Sequence, residues 1–222
     1  MIYPLVLLAV NLSFVRGEEV RNDWLLIPGS RVGPITTHWT GDDLLAAFGT
    51  LHCRKLMLPG EWAGDPPREG WLLYPGTADE IEIHLGEDDT VESVIVSDRT
   101  LIFDPSAQEF TESKRAAGTT RWRSISGITH GSGVELVEKV NGKPFHIAGW
   151  EACDGGIADW REGEIPAGFQ VTFSPDFEDK EAYEKFCRQT MNPDAPPADA
   201  GDSNSAPIRE LAPKVSRIVV RL

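Results

Sequence analysis

The sequence predicts an α+β protein of two tandem units, each a helix followed by a four-strand antiparallel meander, with both helices on one face of the sheet. Three observations carry this. A short pattern recurs about ninety residues apart, the hydrophobic period after each copy changes from near 3.6 to two, and the strands that follow alternate apolar with polar residues.

The first copy opens Gly33-Pro34-Ile35-Thr36-Thr37-His38 and continues Thr40-Gly41-Asp42-Asp43-Leu44-Leu45-Ala46-Ala47-Phe48-Gly49. The second opens Gly127-Ile128-Thr129-His130 and continues Ser132-Gly133-Val134-Glu135-Leu136-Val137-Glu138-Lys139-Val140-Asn141-Gly142. Thr40 and Ser132 are suited to cap a helix, because a hydroxyl accepts an unpaired first-turn amide. Asp42, Asp43 and Glu135 complement the positive helix end, and Gly49 and Gly142 supply a left-handed stop. Leu44, Leu45 and Phe48, and Leu136, Val137 and Val140, are the expected buried stripes.

Strands are expected at 54–58, 70–74, 80–85 and 91–97, then at 144–150, 156–160, 168–173 and 215–222. Ile81, Ile83 and Leu85 oppose Glu80, Glu82 and His84; Phe169, Val171 and Phe173 oppose Gln170 and Thr172; Ile218, Val220 and Leu222 oppose Arg217, Val219 and Arg221. Such alternation describes an antiparallel sheet covered on one side, leaving the polar face open. The organisation is then a targeting segment at 1–17, a first unit at 18–104, a connector at 105–124 and a second unit at 125–222. The connector carries a short helix near 109–117. The second unit contains a helical insert at 176–190, with Ala182, Tyr183, Phe186, Cys187 and Thr190 on one stripe, and a Pro/Ala/Asp/Ser-rich linker at 192–207.

A duplicated helix and four-strand meander resembles β-lactamase-inhibitory protein and the single-copy fold of small lipoproteins of the outer-membrane assembly machine. The resemblance rests on the Gly33–Gly49 pattern and, more loosely, on Gly127–Gly142. The second unit, with Asn141-Gly142-Lys143-Pro144-Phe145, Gly149-Trp150, Asp154-Gly155-Gly156 and Trp160-x-x-Gly163, is also similar to exported bacterial proteins without an assigned role. It implies the fold and a bacterial envelope setting, and names no partner.

Composition narrows the function classes. Of 222 residues, 41% are hydrophobic and 25% charged, an ordinary globular balance, and 21 basic against 35 acidic residues give a net charge of −14. That charge repels nucleic acid and anionic lipid, and no basic run reverses it locally. Leu5–Val10 opens an apolar run extended by Leu12, Phe14 and Val15, with Val15 and Gly17 placed for cleavage before Glu18. The run is too short to span a bilayer, which takes roughly 20 apolar residues. A periplasmic or secreted location is therefore expected, although the segment lacks an early Lys or Arg. In an oxidising compartment three cysteines leave one disulfide and one free thiol. Cys153–Cys187 is the expected pair, since it anchors the insert helix, leaving Cys53 unassigned.

Chemistry-bearing motifs are scarce. His38, His52, His84, His130 and His146 form no His-x-x-x-His pair, and no CxxC exists, so neither metal nor cofactor is expected. Gly131-Ser132-Gly133 is not a nucleophile elbow, and His52-Cys53 are neighbours that point to opposite faces of a strand. Asp42-Asp43, Glu87-Asp88-Asp89 and Glu178-Asp179 suit helix starts and turns. The remaining signal is seven tryptophans: Trp24, Trp39, Trp62, Trp71, Trp122, Trp150 and Trp160. Most serve packing, but Trp71, Tyr74, Trp150 and Trp160 lie on strands with an open second face, where rigid rings bind proteins at low entropic cost. The expected function is a non-catalytic protein-binding or structural module acting through that face on an unidentified protein. A small-ligand carrier with a pocket between the units is the alternative, and an envelope hydrolase stands behind it.

Overall fold

The period-two stretches assemble into a mixed α+β fold of antiparallel sheets and a few short helices. The computed structural model describes residues 21–60, 65–148, 156–175, 180–181, 184 and 201–222. Three short strands, β1 (Leu25–Ile27), β2 (Arg31–Val32) and β3 (Ile35–Thr36), lead into helix α1 (Gly41–His52). Then come β4 (Cys53–Leu58), β5 (Arg68–Leu73), β6 (Ile81–Leu85) and β7 (Val91–Ser97), and a hairpin of β8 (Leu101–Asp104) and β9 (Glu109–Glu112). The short β10 (Arg123–Ser124) precedes α2 (Val134–Asn141), β11 (His146–Ala148), β12 (Gly156–Asp159) and β13 (Phe169–Ser174). Helix α3 (Ala206–Leu211) and β14 (Lys214–Arg221) complete the set.

The main sheet has eight strands in the order β11-β12-β13-β14-β7-β6-β5-β4, every neighbouring pair antiparallel. Paired residues share a face, so register assigns sides. Cys53, Trp71, Leu73, Ile81, Ile83, Val94, Val96, Ile218, Val220, Phe169 and Val171 share one face. All belong to a single core that also takes Leu44 from α1, Val134 and Val137 from α2, and Ile208 and Leu211 from α3. The helices therefore lie on one side of the sheet. A small sheet of order β10-β1-β2-β3, in which β1 and β10 run parallel, adds Leu26, Val32 and Ile35 to the same core.

The far face departs from expectation. Its edge-ward part on β11–β14 is exposed: Ala148, Asp159 and Arg221 face solvent, and Gln170, Thr172 and Arg217 are half-exposed. Over β5–β7, however, the far face is closed. Glu82 and His84, expected to be open, are 6% and 8% exposed, and Leu72, Ile95 and Val219 on the same side are buried with them. The two polar side chains face each other at 3.4 Å instead of meeting water.

The helices begin and end for local reasons. Thr40 Oγ1 accepts the Asp43 amide at 3.3 Å and Asp43 Oδ2 accepts the Thr40 amide at 2.9 Å, a reciprocal cap at α1. Gly49, with φ +70, breaks the helix without ending it, and the chain remains helical to His52. At α2 the expected cap is corrected: the N-cap is Gly133, and the Ser132 hydroxyl accepts the Thr129 amide at 3.0 Å. The buried positions are Val134, Val137 and Asn141, so Leu136 points outward at 39% exposure.

Two connections also differ from the sequence reading. The connector carries the β8–β9 hairpin, set against β4, in place of a helix at 109–117. Its turn is held by Asp104 Oδ1, which accepts the Ser106 and Ala107 amides. The expected linker at 192–207 is built structure from residue 201. Gly201–Ser203 lies along β11, with Ile147 donating to the Gly201 carbonyl and Ser203 to that of Phe145, both at 2.8 Å. Within the insert, Lys180, Glu181 and Glu184 are helical and exposed, while its apolar stripe lies outside the described residues, as does the targeting segment at 1–17. The expected disulfide is overturned: the described residues contain no disulfide, and Cys53 is a free, buried thiol. Cys153 and Cys187 lie outside the described residues. No helix among the described residues is long and apolar enough to cross a membrane.

Two measurements check this packing. Leu44→Ala should lower unfolding free energy by about 2–5 kcal/mol in urea titration, as loss of a packed leucine does. Leu136→Ala should stay within about 1 kcal/mol because its side chain points outward and is already partly solvated. Burial pushes the Cys53 thiol up to about 11, so its thiolate is scarce at pH 8. Brief alkylation of the native protein followed by peptide mapping should leave Cys53 unmodified, and alkylation in denaturant should label it.

Candidate binding surface

Of the four aromatic residues expected on an open sheet face, the structure places none together there. Trp71 lies on the helix side, 7% exposed, under the first turn of α1. Gly41 permits that approach, since a Cβ there would stand 2.6 Å from Trp71 Nε1. Trp160 is half-buried, stacks edge-on against Phe145 at 5.3 Å and donates from Nε1 to the Phe169 carbonyl at 2.9 Å. Trp150 lies outside the described residues. Tyr74 alone reaches a surface cluster, at the end of β5.

That cluster gathers residues from distant parts of the chain. Ring centroids run from Trp24 to Tyr74 at 5.3 Å, from Tyr74 to Phe48 at 5.9 Å and from Phe48 to Trp39 at 6.0 Å, each residue packed against the core and partly exposed. Beneath Trp24 the fully buried Trp122 meets it edge-on at 4.9 Å and donates from Nε1 to the Asp79 carbonyl at 2.9 Å. Above it lies the Arg121 guanidinium, 3.5 Å from the ring centroid. The exposed His52 ring lies 5.9 Å from that of Tyr74, and its chain neighbour Leu51, beyond the break at Gly49, is 84% exposed.

Two of these aromatic residues take an unusual backbone conformation. Trp24 has φ +62 and Tyr74 φ +53, a left-handed region that bulky side chains rarely occupy and that costs about 1–3 kcal/mol each. Hydrogen bonds hold both. Asn22 Oδ1 accepts the Trp24 amide at 2.8 Å, and Arg123 donates its amide to the Trp24 carbonyl at 3.0 Å. Tyr74 donates its amide to His52 at 2.7 Å, accepts at its carbonyl from Thr77 Oγ1 at 2.8 Å, and accepts at its hydroxyl from Asn22 Nδ2 at 3.2 Å. Half-burial raises the Tyr74 phenol above its ordinary value, against the lowering effect of Asn22.

Arg121 is positioned by a buried carboxylate. Asp79, 8% exposed, accepts from Arg121 Nε at 2.8 Å, from Nη2 at 2.7 Å and from the Arg121 amide at 2.7 Å. Next to it Glu80, 1% exposed, accepts the Gly76 amide at 2.6 Å and the Ser113 hydroxyl at 2.8 Å. Arg115 donates to the carbonyls of Ser97 and Ala78. These bonds tie the connector to the β5–β6 turn and hold Arg121 over Trp24.

Other groups with chemical potential are closed or scattered. Ser93 pairs with His84 across β6 and β7, and His84 with Glu82, yet all three are buried and Ser93 Oγ has no hydrogen-bond partner. His38 is exposed and His130 half-buried, its ring held below the ordinary imidazole value by burial. Among the described residues no three His, Cys, Asp or Glu side chains gather as a metal-binding group.

The fold and this surface define a β-sheet-rich domain with an exposed sheet face and surface aromatic clusters. No family model, curated protein or solved structure matches the chain.

Asp79→Asn removes the charge that grips Arg121 in a buried setting. Urea unfolding should show a loss of about 1–3 kcal/mol. An unchanged midpoint would mean that the carboxylate does not hold the connector.

Proposed function

We propose that this chain is an exported, non-catalytic protein-binding module that engages another protein through the half-exposed aromatic surface of Trp24, Tyr74, Phe48 and Arg121. The observation that carries the reading is the pair of strained aromatic residues. Two aromatic residues with φ of +62 and +53 are held by hydrogen bonds from distant parts of the chain, with an arginine clamped over one of the rings. Strain that the surrounding structure maintains, at residues that remain partly exposed, fits a preformed site. Trp, Tyr and Arg are also the residue types that dominate binding energy at protein interfaces. Rings ordered before binding lose little entropy on association.

The scaffold is read as two units that descend from one helix and four-strand pattern. The order β11-β12-β13-β14 followed by β7-β6-β5-β4, with α1 and α2 each preceding a meander, supports that reading. It keeps alive the resemblance to β-lactamase-inhibitory protein and the outer-membrane assembly lipoproteins. The apolar run ending at Val15-x-Gly17 supports export to the periplasm or beyond.

A photo-crosslinking side chain placed at Leu51 should capture a partner protein in the native cell envelope, and Trp24→Ala should abolish the adduct. With the captured partner purified, Trp24→Ala should weaken binding at least about thirtyfold, the loss of a hot-spot residue. Adducts from Gln170 but not Leu51 would move the interface to the sheet face, and none at either position would remove the binding function. Mature protein from the envelope should begin at or near Glu18; an intact Met1 would end the export reading.

A further inference from the structure

A second site shares no residue with the aromatic surface. Between β1, the 124–128 turn, the end of α2 and the β12–β13 loop is a cavity of about 390 Å³, within the span of about 300–1,000 Å³ typical of small-molecule sites. Its floor is core: Leu26, Ile128, Ile165 and Phe169 are 1%, 1%, 7% and 2% exposed. Pro28, Val140 and Pro166 complete apolar walls.

The mouth is built by a rigid turn. Ser124 donates its amide to the Ile128 carbonyl at 2.8 Å, Ser124 Oγ accepts the Ile128 amide at 2.9 Å, and Gly127 donates to the Ser124 carbonyl at 3.0 Å. Gly127 takes φ +88 to close it. The turn holds Ile125 at its tip, 74% exposed, so this large apolar side chain does not fold down onto the floor. An isoleucine fixed in water beside an apolar hollow gains burial only when something fills the hollow.

Charge at the mouth selects what that is. Glu164 lines the cavity, its amide bonded to the Asn141 carbonyl at 3.0 Å and its carboxylate set against Gly142, the left-handed C-cap of α2. The end of a helix carries partial negative charge, which an acid there reinforces and a cation offsets. Among the described residues no hydrogen bond or ion pair occupies the Glu164 carboxylate. Lys139 and Lys143 line the adjoining depression with Glu135 and Glu138 and do not line this cavity.

We infer that this cavity binds a small amphiphile with an alkyl body and a cationic ammonium head, the body on the Leu26–Phe169 floor and the head beside Glu164. Calorimetric titration of the full chain with octyl-, decyl- and dodecyltrimethylammonium, below their micelle concentrations, tests it. Binding should be saturable at one site and tighten about fourfold per methylene until the cavity is full, following the transfer free energy of a buried methylene. Decanoate should bind about tenfold more weakly than decyltrimethylammonium, since the carboxylate repels where the ammonium attracts. Glu164→Gln should remove most of that preference while keeping the chain-length dependence, and Ile125→Ser should weaken every member of the series. Both positions are exposed, so both variants should keep the wild-type urea midpoint. Absence of saturable binding, decanoate binding as tightly as the ammonium, or affinities unchanged in both variants would each overturn the proposal.

Discussion

The pairing of β7 with β14 is the contact from which the rest of the structure follows. Five residue pairs, from Ser97–Arg217 to Ser93–Arg221, join two meanders that would otherwise each end on a bare strand. Because they join, Val94, Val96, Ile218 and Val220 form one continuous helix-facing floor, and α1, α2, α3 and the small β1–β3 sheet share one core. The same pairing brings the connections at this end together: Asp98 donates to the Ser216 carbonyl, and Gly131 to that of Val215. At the join the sheet is buried on both sides, as Ile95 and Val219 show.

Much of this was legible in the sequence, and the failures have physical causes. β6 and β13 stand out because alternation over five or six residues leaves one register. The runs Ser93–Val96 and Ile218–Val220 lack that alternation, which is how a strand buried on both faces reads. Glu82 and His84 outweighed that signal, because a polar residue normally marks a solvent face and these two are instead buried beside each other. The second helix defeated the stripe at 136, 137 and 140 because eight residues allow more than one apolar face. Its rotation is set by the buried Asn141, whose amide donates to the carbonyls of Lys143 and Trp160. Ser203 reads as linker by composition, yet it bonds to Phe145 and Glu138, partners 58 and 65 positions earlier.

The binding surface was legible only in part. Tyr74 drew notice as an aromatic on a strand, whereas Trp24 and Trp39 read only as packing tryptophans. Nothing local marks Arg121 as their neighbour, since the link is made through Asp79, 42 positions earlier. Nor does composition reveal a positive φ at a tryptophan or a tyrosine. That information belongs to the tertiary bonds that impose it, among them the Asn22 side chain bonded to both residues. A cluster assembled in this way depends on the whole fold, whereas a helix cap such as Thr40 with Asp43 needs only four residues.

The central place of β14 also bears on how the protein comes into being. Residues 214–221 fill the middle of the sheet, between strands that end at positions 174 and 97. Until that segment has left the ribosome, the earlier strands present two unpaired edges and an incomplete floor. Pairings this far apart in the chain carry the loop-closure penalty that slows folding. A nascent chain of this kind is held back from early collapse by its own topology. That delay leaves the edges of β7 and β13 in need of shielding until β14 arrives.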